Sequence, residues 1–278
     1  MKNKRPDLKT VNSIKTPNIT HIKKIGIVSR DYRKKDENGF RDFSYTFKNI
    51  LLHLNNQDCD SVIFPMYTLV KREDFDAIQI LNQLRIDNLK TIFIAEFTDG
   101  IERESGDYII YYKNKDEWQE YRLVQKFSSL KYTQSFKNKI IEPFKSEVNN
   151  QRLLGNCTVL LSGESNIVKF SQTRERVEDQ FQYLDLLNQD TPIILNPVHE
   201  RMMRHEIKLK RQFLSEQGRW VISVWNKGKA DKNGKVKNSK NPAWMVFYNG
   251  KEKQIKPIIN NIPTQLNIEI GVIDLTQH

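Results

Sequence analysis

The chain has 278 residues, 38% of them hydrophobic and 10% aromatic, with a formal net charge of +11. That is enough apolar material for a sizeable core, which excludes a disordered or fibrous protein. No run approaches the ~18–20 apolar residues a membrane helix needs, and the N-terminus, basic without an apolar stretch, is no secretory signal.

In chain order, residues 1–20 lack periodicity and read as a flexible basic tail. "IKKIGIVSR" (22–30) reads as a strand. Phe40, Phe43, Phe47, Ile50, Leu51 and Leu54 fall at helical spacing and predict a helix over 40–56. "DSVIFPMY" (60–67) is a short buried strand ended by Pro65. A helix over about 73–87 leads to the apolar strand 90–97. Strand and helix alternate to this point, as in α/β proteins.

The middle changes character. "GDYIIYYKN" and "EWQEYRLVQKF" predict a strand pair joined by a polar turn, and 128–152, Lys-rich with Pro143, reads as a loop with a short helix. "CTVLLSG" (157–163) is a buried strand running onto a polar turn. Val177, Phe181, Leu184 and Leu187 share one helical face and predict a helix over 171–189. A strand over 191–197, a helix over 201–217 and a strand over 219–228 follow. The chain closes with a hairpin turning at Asn249-Gly250 and the alternating strand "LNIEIGVIDL". With no internal repeat and no interior linker, 21–278 is expected to form one domain.

The charge is uneven. Residues 1–40 carry eleven Lys/Arg against four acids, +7 of the +11, which leaves +4 on the other 238 residues. A second basic stretch, "NKGKADKNGKVKNSK" (226–240), reads as an exposed loop. Such segments are usually solvated surface, and nucleic-acid binding is the alternative they raise. Interleaved aromatics are sparse in both, which argues against a stacking platform for single strands. Cys59 and Cys157 make neither a disulfide framework nor a metal spacing, so a reducing cytoplasm is the default.

The order of parts over about 22–275 resembles the nitrilase superfamily, the carbon–nitrogen hydrolases. Six stretches carry the resemblance: "VIFPMY", "EYRLVQKF", "VLLSGES", "IILNPVHE", "RWVISVWNKG" and "AWMVFYNGKE". It implies an α-β-β-α sandwich, two mixed sheets packed face to face with helices outside. It also implies a site in which a cysteine attacks an amide or nitrile carbon, a glutamate serves as base and acid, and a lysine stabilises the charged intermediate. By the resemblance the nucleophile position falls on Ser162, the base position on Met66 and the lysine on Lys126. Glu164 takes the place of a structural acid. No cofactor is implied, and a homodimer or larger assembly is expected by analogy alone.

Only Lys126 matches that trio. A thiol is partly ionised near neutral pH, whereas a serine hydroxyl depends on a positioned base. Methionine has no exchangeable proton and cannot be that base; general acid–base help is worth ~10²–10⁴-fold. A relay of Ser162 with His199 and Glu200, which follow the Asn196-Pro197 turn, is the candidate repair, and its bland counterpart is a helix start with ordinary surface charges. His199 and His205 are six apart, not the four a helical zinc pair needs, so no metal site is expected. Cys157, five residues before Ser162, reads as a buried structural thiol.

Three functional readings follow. The chain is a hydrolase-fold pseudoenzyme with little or no turnover that binds a ligand or partner. Or it is an amidase- or nitrilase-type hydrolase of a small amide or nitrile, with a natural site as it stands, with the site in a shifted register, or as a form inactivated by a Cys-to-Ser change. Or it is associated with nucleic acid through the tail and the 226–240 loop.

Overall fold

A computed structural model describes residues 16–66, 68–70, 75–97, 108–187, 191–198, 205–228 and 243–276. The chain enters through β1 (Lys24–Ser29), α1 (Phe47–Asn55), β2 (Ser61–Ile63) and the short β3 (Leu69–Val70). Then come α2 (Ala77–Gln83), β4 (Thr91–Phe97) and the hairpin of β5 (Tyr108–Asn114) and β6 (Glu117–Leu123). These strands and the last, β15 (Glu269–Asp274), build a seven-stranded sheet of order β15-β1-β2-β4-β5-β6, with β3 on β4. β1, β2 and β4 run parallel; β5, β6 and β15 pair antiparallel to their neighbours.

The second half opens with a helical run: α3 (Gln134–Phe136), a π-helical turn (Lys137–Ile141), α4 (Glu142–Glu147) and another π-helical turn (Val148–Arg152). β7 (Leu153–Leu154) and β8 (Cys157–Val159) lead to a 3₁₀ turn, Ser162–Ile167. The small hairpin of β9 (Lys169–Ser171) and β10 (Arg176–Glu178) precedes a second 3₁₀ turn, Leu184–Leu186. β11 (Ile193–Pro197), α5 (His205–Leu214), β12 (Trp220–Val224), β13 (Trp244–Tyr248) and β14 (Lys251–Lys253) complete a six-stranded sheet of order β14-β13-β12-β11-β8-β7. β8, β11 and β12 are parallel and the rest antiparallel, so this sheet too is mixed.

Strand periodicity shows how the sheets face each other. Ile25 and Ile27 of β1, Tyr108 and Ile110 of β5, Ile193 and Leu195 of β11, and Ile222 and Val224 of β12 join in one cluster between the sheets. Their alternating neighbours point outward. Val28, Ile109 and Tyr111 pack under α1 and α2. Ile194 and Val221 pack with Ile141, Phe144 and Leu214 of the outer layer on the other side. Period-two alternation with both faces apolar requires a cover on each side, and the result is an α-β-β-α sandwich. Ile19 is buried in the same inter-sheet cluster, and Asn156 exchanges hydrogen bonds with the Ile22 amide (2.8 Å) and carbonyl (2.9 Å). The segment before β1 is thereby clasped to the second sheet.

Three expected elements differ. The helix predicted over 40–56 begins only at Phe47, because the Asp42 carboxylate accepts from the Ser44 hydroxyl (2.6 Å) and the Phe43 amide donates to the Thr68 carbonyl (2.9 Å). Local side-chain bonds of this kind compete with a helix. Of the predicted helix over 171–189, the described residues 171–187 form a hairpin followed by a 3₁₀ turn, and 188–189 lie outside the described residues. Glu175 and Gln182 sit at φ 51° and 54°, and Asp179 accepts from the Tyr183 and Leu184 amides. Val177, Phe181 and Leu184 still pack on the outer core, so their spacing marks a buried face although the backbone there is not helical. Residues 134–152 are helical rather than a loop with a short helix; a π-helical turn directly precedes the segment that carries Pro143, whose missing N–H disrupts regular pairing.

Candidate functional site

The carboxyl ends of strands from both sheets meet along one rim, joined by hydrogen bonds. Past β2, the Met66 amide donates to the Val198 carbonyl (3.3 Å) just beyond β11. The Asn226 side chain, just beyond β12, donates to the Met66 carbonyl (3.4 Å) and accepts from the Arg30 amide (3.3 Å) at the end of β1. Past β8, the Ser162 carbonyl accepts from Asn196 Nδ2 (3.3 Å), which also reaches the Leu160 carbonyl (2.7 Å). The Ser223 hydroxyl holds Asn196 by its Oδ1 (3.1 Å). Past β6, the Lys126 amide donates to Glu164 Oε1 (2.7 Å). The main chains of Met66, Lys126 and Ser162 are thus three stations on one rim.

Ser162 stands where a buried strand breaks into a 3₁₀ turn, with φ of +44°. A non-glycine residue there is uncommon and stores strain, a feature that clusters at functional sites. Gly163 lets the neighbouring segment close in. A Cβ on it would lie 2.3 Å from the Ser128 carbonyl oxygen and 2.5 Å from Ser128 Cα. Asn166, in the same turn, donates to that carbonyl from the other side (2.9 Å). The Lys126–Ser128 segment is therefore pressed against the Ser162 turn by backbone contact. Met66 is half-buried against the inter-sheet cluster, an apolar thioether with no proton to exchange.

Beneath this junction runs a chain of charges. The Lys126 ammonium pairs with Glu147 Oε2 (2.5 Å), and Glu147 Oε1 accepts from Arg152 (2.7 Å). Arg152 then grips Glu164 with Nη1 (2.6 Å) and Nη2 (3.2 Å), both side chains fully buried. Burial raises the Glu164 pKa, against the pull of Arg152 and of the Lys126 and Leu161 amides. Each of its four contacts is nonetheless a donor, so the carboxylate is the form this geometry accommodates. Burial lowers the Arg152 pKa, and Glu164 and Glu147 more than offset it, leaving it raised. Glu164 thereby ties the Lys126 and Leu161 backbones together. Glu147 and Arg152 were missed from the sequence; the only signal was an acid and a base five apart beside an apolar strand.

The other predicted groups divide. His199 and Glu200 lie outside the described residues, as do 1–15 and most of the basic 226–240 stretch. His205 opens α5 on the surface. Cys157 is buried in the inter-sheet cluster, and burial pushes its thiol far up; burial likewise pushes Cys59 to about 12. Neither is a nucleophile at neutral pH. Among the described residues no three His, Cys, Asp or Glu side chains could hold a metal ion, and no helix is long and apolar enough to cross a membrane.

No protein-family model and no curated protein sequence matches the chain. Solved structures do. The chain is similar to Saccharomyces cerevisiae Nit3, a member of branch 10 of the nitrilase superfamily (9% identity, 93% of each chain covered, TM-score 0.45). It is similar to a carbon–nitrogen hydrolase from Helicobacter pylori G27 (10% identity, 92% of this chain and 90% of that one, TM-score 0.46). A third is a mutant amidase of Nesterenkonia AN1 from the nitrilase superfamily (10% identity, 94% and 96% covered, TM-score 0.45). A likeness at such low identity concerns chain path and says nothing of activity.

Proposed function

We propose that this chain is a carbon–nitrogen-hydrolase-type sandwich whose reactive trio has been dismantled, leaving a protein that binds a ligand or partner at the Met66–Lys126–Ser162 rim with little or no turnover. One observation supports the reading: the three positions that the family resemblance assigns to base, lysine and nucleophile lie on strand ends knitted together by Val198, Asn196, Asn226 and Glu164. Two of the three hold side chains unsuited to the chemistry. Met66 offers no base, and Ser162 lacks the acidity that lets a thiol react without strong help. The cation persists in Lys126, tied to Glu147. A small amide or nitrile, or an analogue with a polarised carbonyl, is the ligand class such a remnant would retain.

A second reading, an active hydrolase using Ser162, is favoured by one feature. The φ of +44° at a strand-to-turn corner is the kind of strained elbow that presents a nucleophile. Restoration separates the two. In Ser162→Cys with Met66→Glu, amide or nitrile hydrolysis absent from the parent is expected to appear and to vanish when Lys126→Ala is added. A double variant that folds and stays inert would overturn the assignment of these three positions.

A further inference from the structure

Away from the Ser162 rim, the β9–β10 hairpin stands off the flank of α5 and leaves a cavity of about 480 Å³ between them. That size falls within the ~300–1,000 Å³ range of small-molecule sites. Its walls bring Lys169 and Ser171 from β9, Thr173 from the turn, and Glu206 and Lys210 from α5. Among the described residues neither lysine has a carboxylate within ion-pairing distance. Lys169 lies over the Tyr132 ring, 4.3 Å from its centroid, and the half-buried Lys210 donates to Asn166 Oδ1 (2.8 Å).

The acids in the cavity do not cancel this charge. Glu178 is already engaged by Arg174 (2.9 Å) and Gln180 (3.2 Å). Glu206 remains, one carboxylate against two ammonium groups. Burial lowers the Lys210 pKa, Glu206 raises it and Lys169 lowers it again, so the Lys210 ammonium is costly to keep charged where it stands. An anion in the cavity offsets that cost. Two hydroxyl-bearing residues, Ser171 and Thr173, line the same cavity. Such a donor set is suited to the several acceptor oxygens of a phosphoryl group and exceeds what the two oxygens of a carboxylate require.

We propose that the cavity between the β9–β10 hairpin and α5 is a binding site for a phosphoryl-bearing small molecule, held by Lys169 and Lys210. It is separate from the Ser162 rim, with Asn166 lying between the two. Lys210 is bonded to Asn166, and Asn166 holds the Ser128 carbonyl against the turn that carries Ser162.

The test is calorimetric titration of the full chain with inorganic phosphate at low ionic strength, with sodium acetate as the second arm. Saturable phosphate binding is expected, at least about tenfold tighter than acetate and weakening as salt is added. Lys169→Met, at an exposed position, and Lys210→Gln, which keeps a donor for Asn166, are each expected to weaken phosphate about tenfold. Ser162→Ala should leave it unchanged. No saturable binding, acetate bound as tightly as phosphate, affinity intact in both lysine variants, or affinity lost in Ser162→Ala would each overturn the proposal.

Discussion

Replacing Glu164 by glutamine changes one atom in a side chain that is fully buried and touched only by donors. Oε1 accepts from the Lys126 amide (2.7 Å) and Arg152 Nη2 (3.2 Å); Oε2 accepts from Arg152 Nη1 (2.6 Å) and the Leu161 amide (2.8 Å). Whichever way the glutamine amide is flipped, its NH₂ meets two donors, and the charge opposite Arg152 is gone. Hydrogen bonds to charged groups are worth ~1.5–3 kcal/mol each, and breaking a buried ion pair from one side costs ~3–5 kcal/mol. The loss is expected at the lower part of that range, about 3 kcal/mol, because Arg152 keeps Glu147 at 2.7 Å. Equilibrium urea unfolding, followed by circular dichroism and tryptophan fluorescence to check that the transitions coincide, measures it. A loss under about 1 kcal/mol would refute the claim that Glu164 fastens the Lys126 and Ser162 segments together.

Gly163→Ala must push the Ser128 backbone aside, and overpacking of this kind is expected to cost ~1–3 kcal/mol in the same assay; unchanged stability would show that the two segments part easily. Ile19→Ala should destabilise by ~2–4 kcal/mol, since the side chain fills the core between the sheets; a change near zero would mean the leading segment is not clasped to the body. Both thiols should resist an aromatic disulfide reagent in the native protein at pH 8, given burial and a Cys59 pKa near 12, and should react on unfolding in urea. Fast labelling of native protein would contradict their burial.

The sheets were legible because their strands are short apolar runs closed by turn residues, as "TIFIA" and "RWVISV" show. The Asn249-Gly250 hairpin was legible from its turn chemistry, and both residues adopt the positive φ (47° and 74°) that such a turn requires. The 171–189 segment was not. Four apolar residues at helical spacing suit a hairpin followed by a 3₁₀ turn equally well when both lie on the same core face. What decides between them is Asp179 bonding to two amides four and five residues on. Of the rim, Met66, Lys126 and Ser162 stand out in the sequence because each follows a recognisable strand. Glu147, Arg152 and Asn226 do not, because, apart from the Glu147–Arg152 pair itself, their importance lies in partners 12 to 160 residues away. Sequence spacing is silent about such pairs.

The most direct measurement is a sensitive hydrolysis assay of the unaltered chain against a panel of small aliphatic and aromatic amides and nitriles, with Lys126→Ala run beside it. The account predicts no ammonia release above the Lys126→Ala background on any member of the panel. Sustained multiple turnover by the unaltered chain, abolished in Lys126→Ala, would contradict it and make Ser162 a working nucleophile.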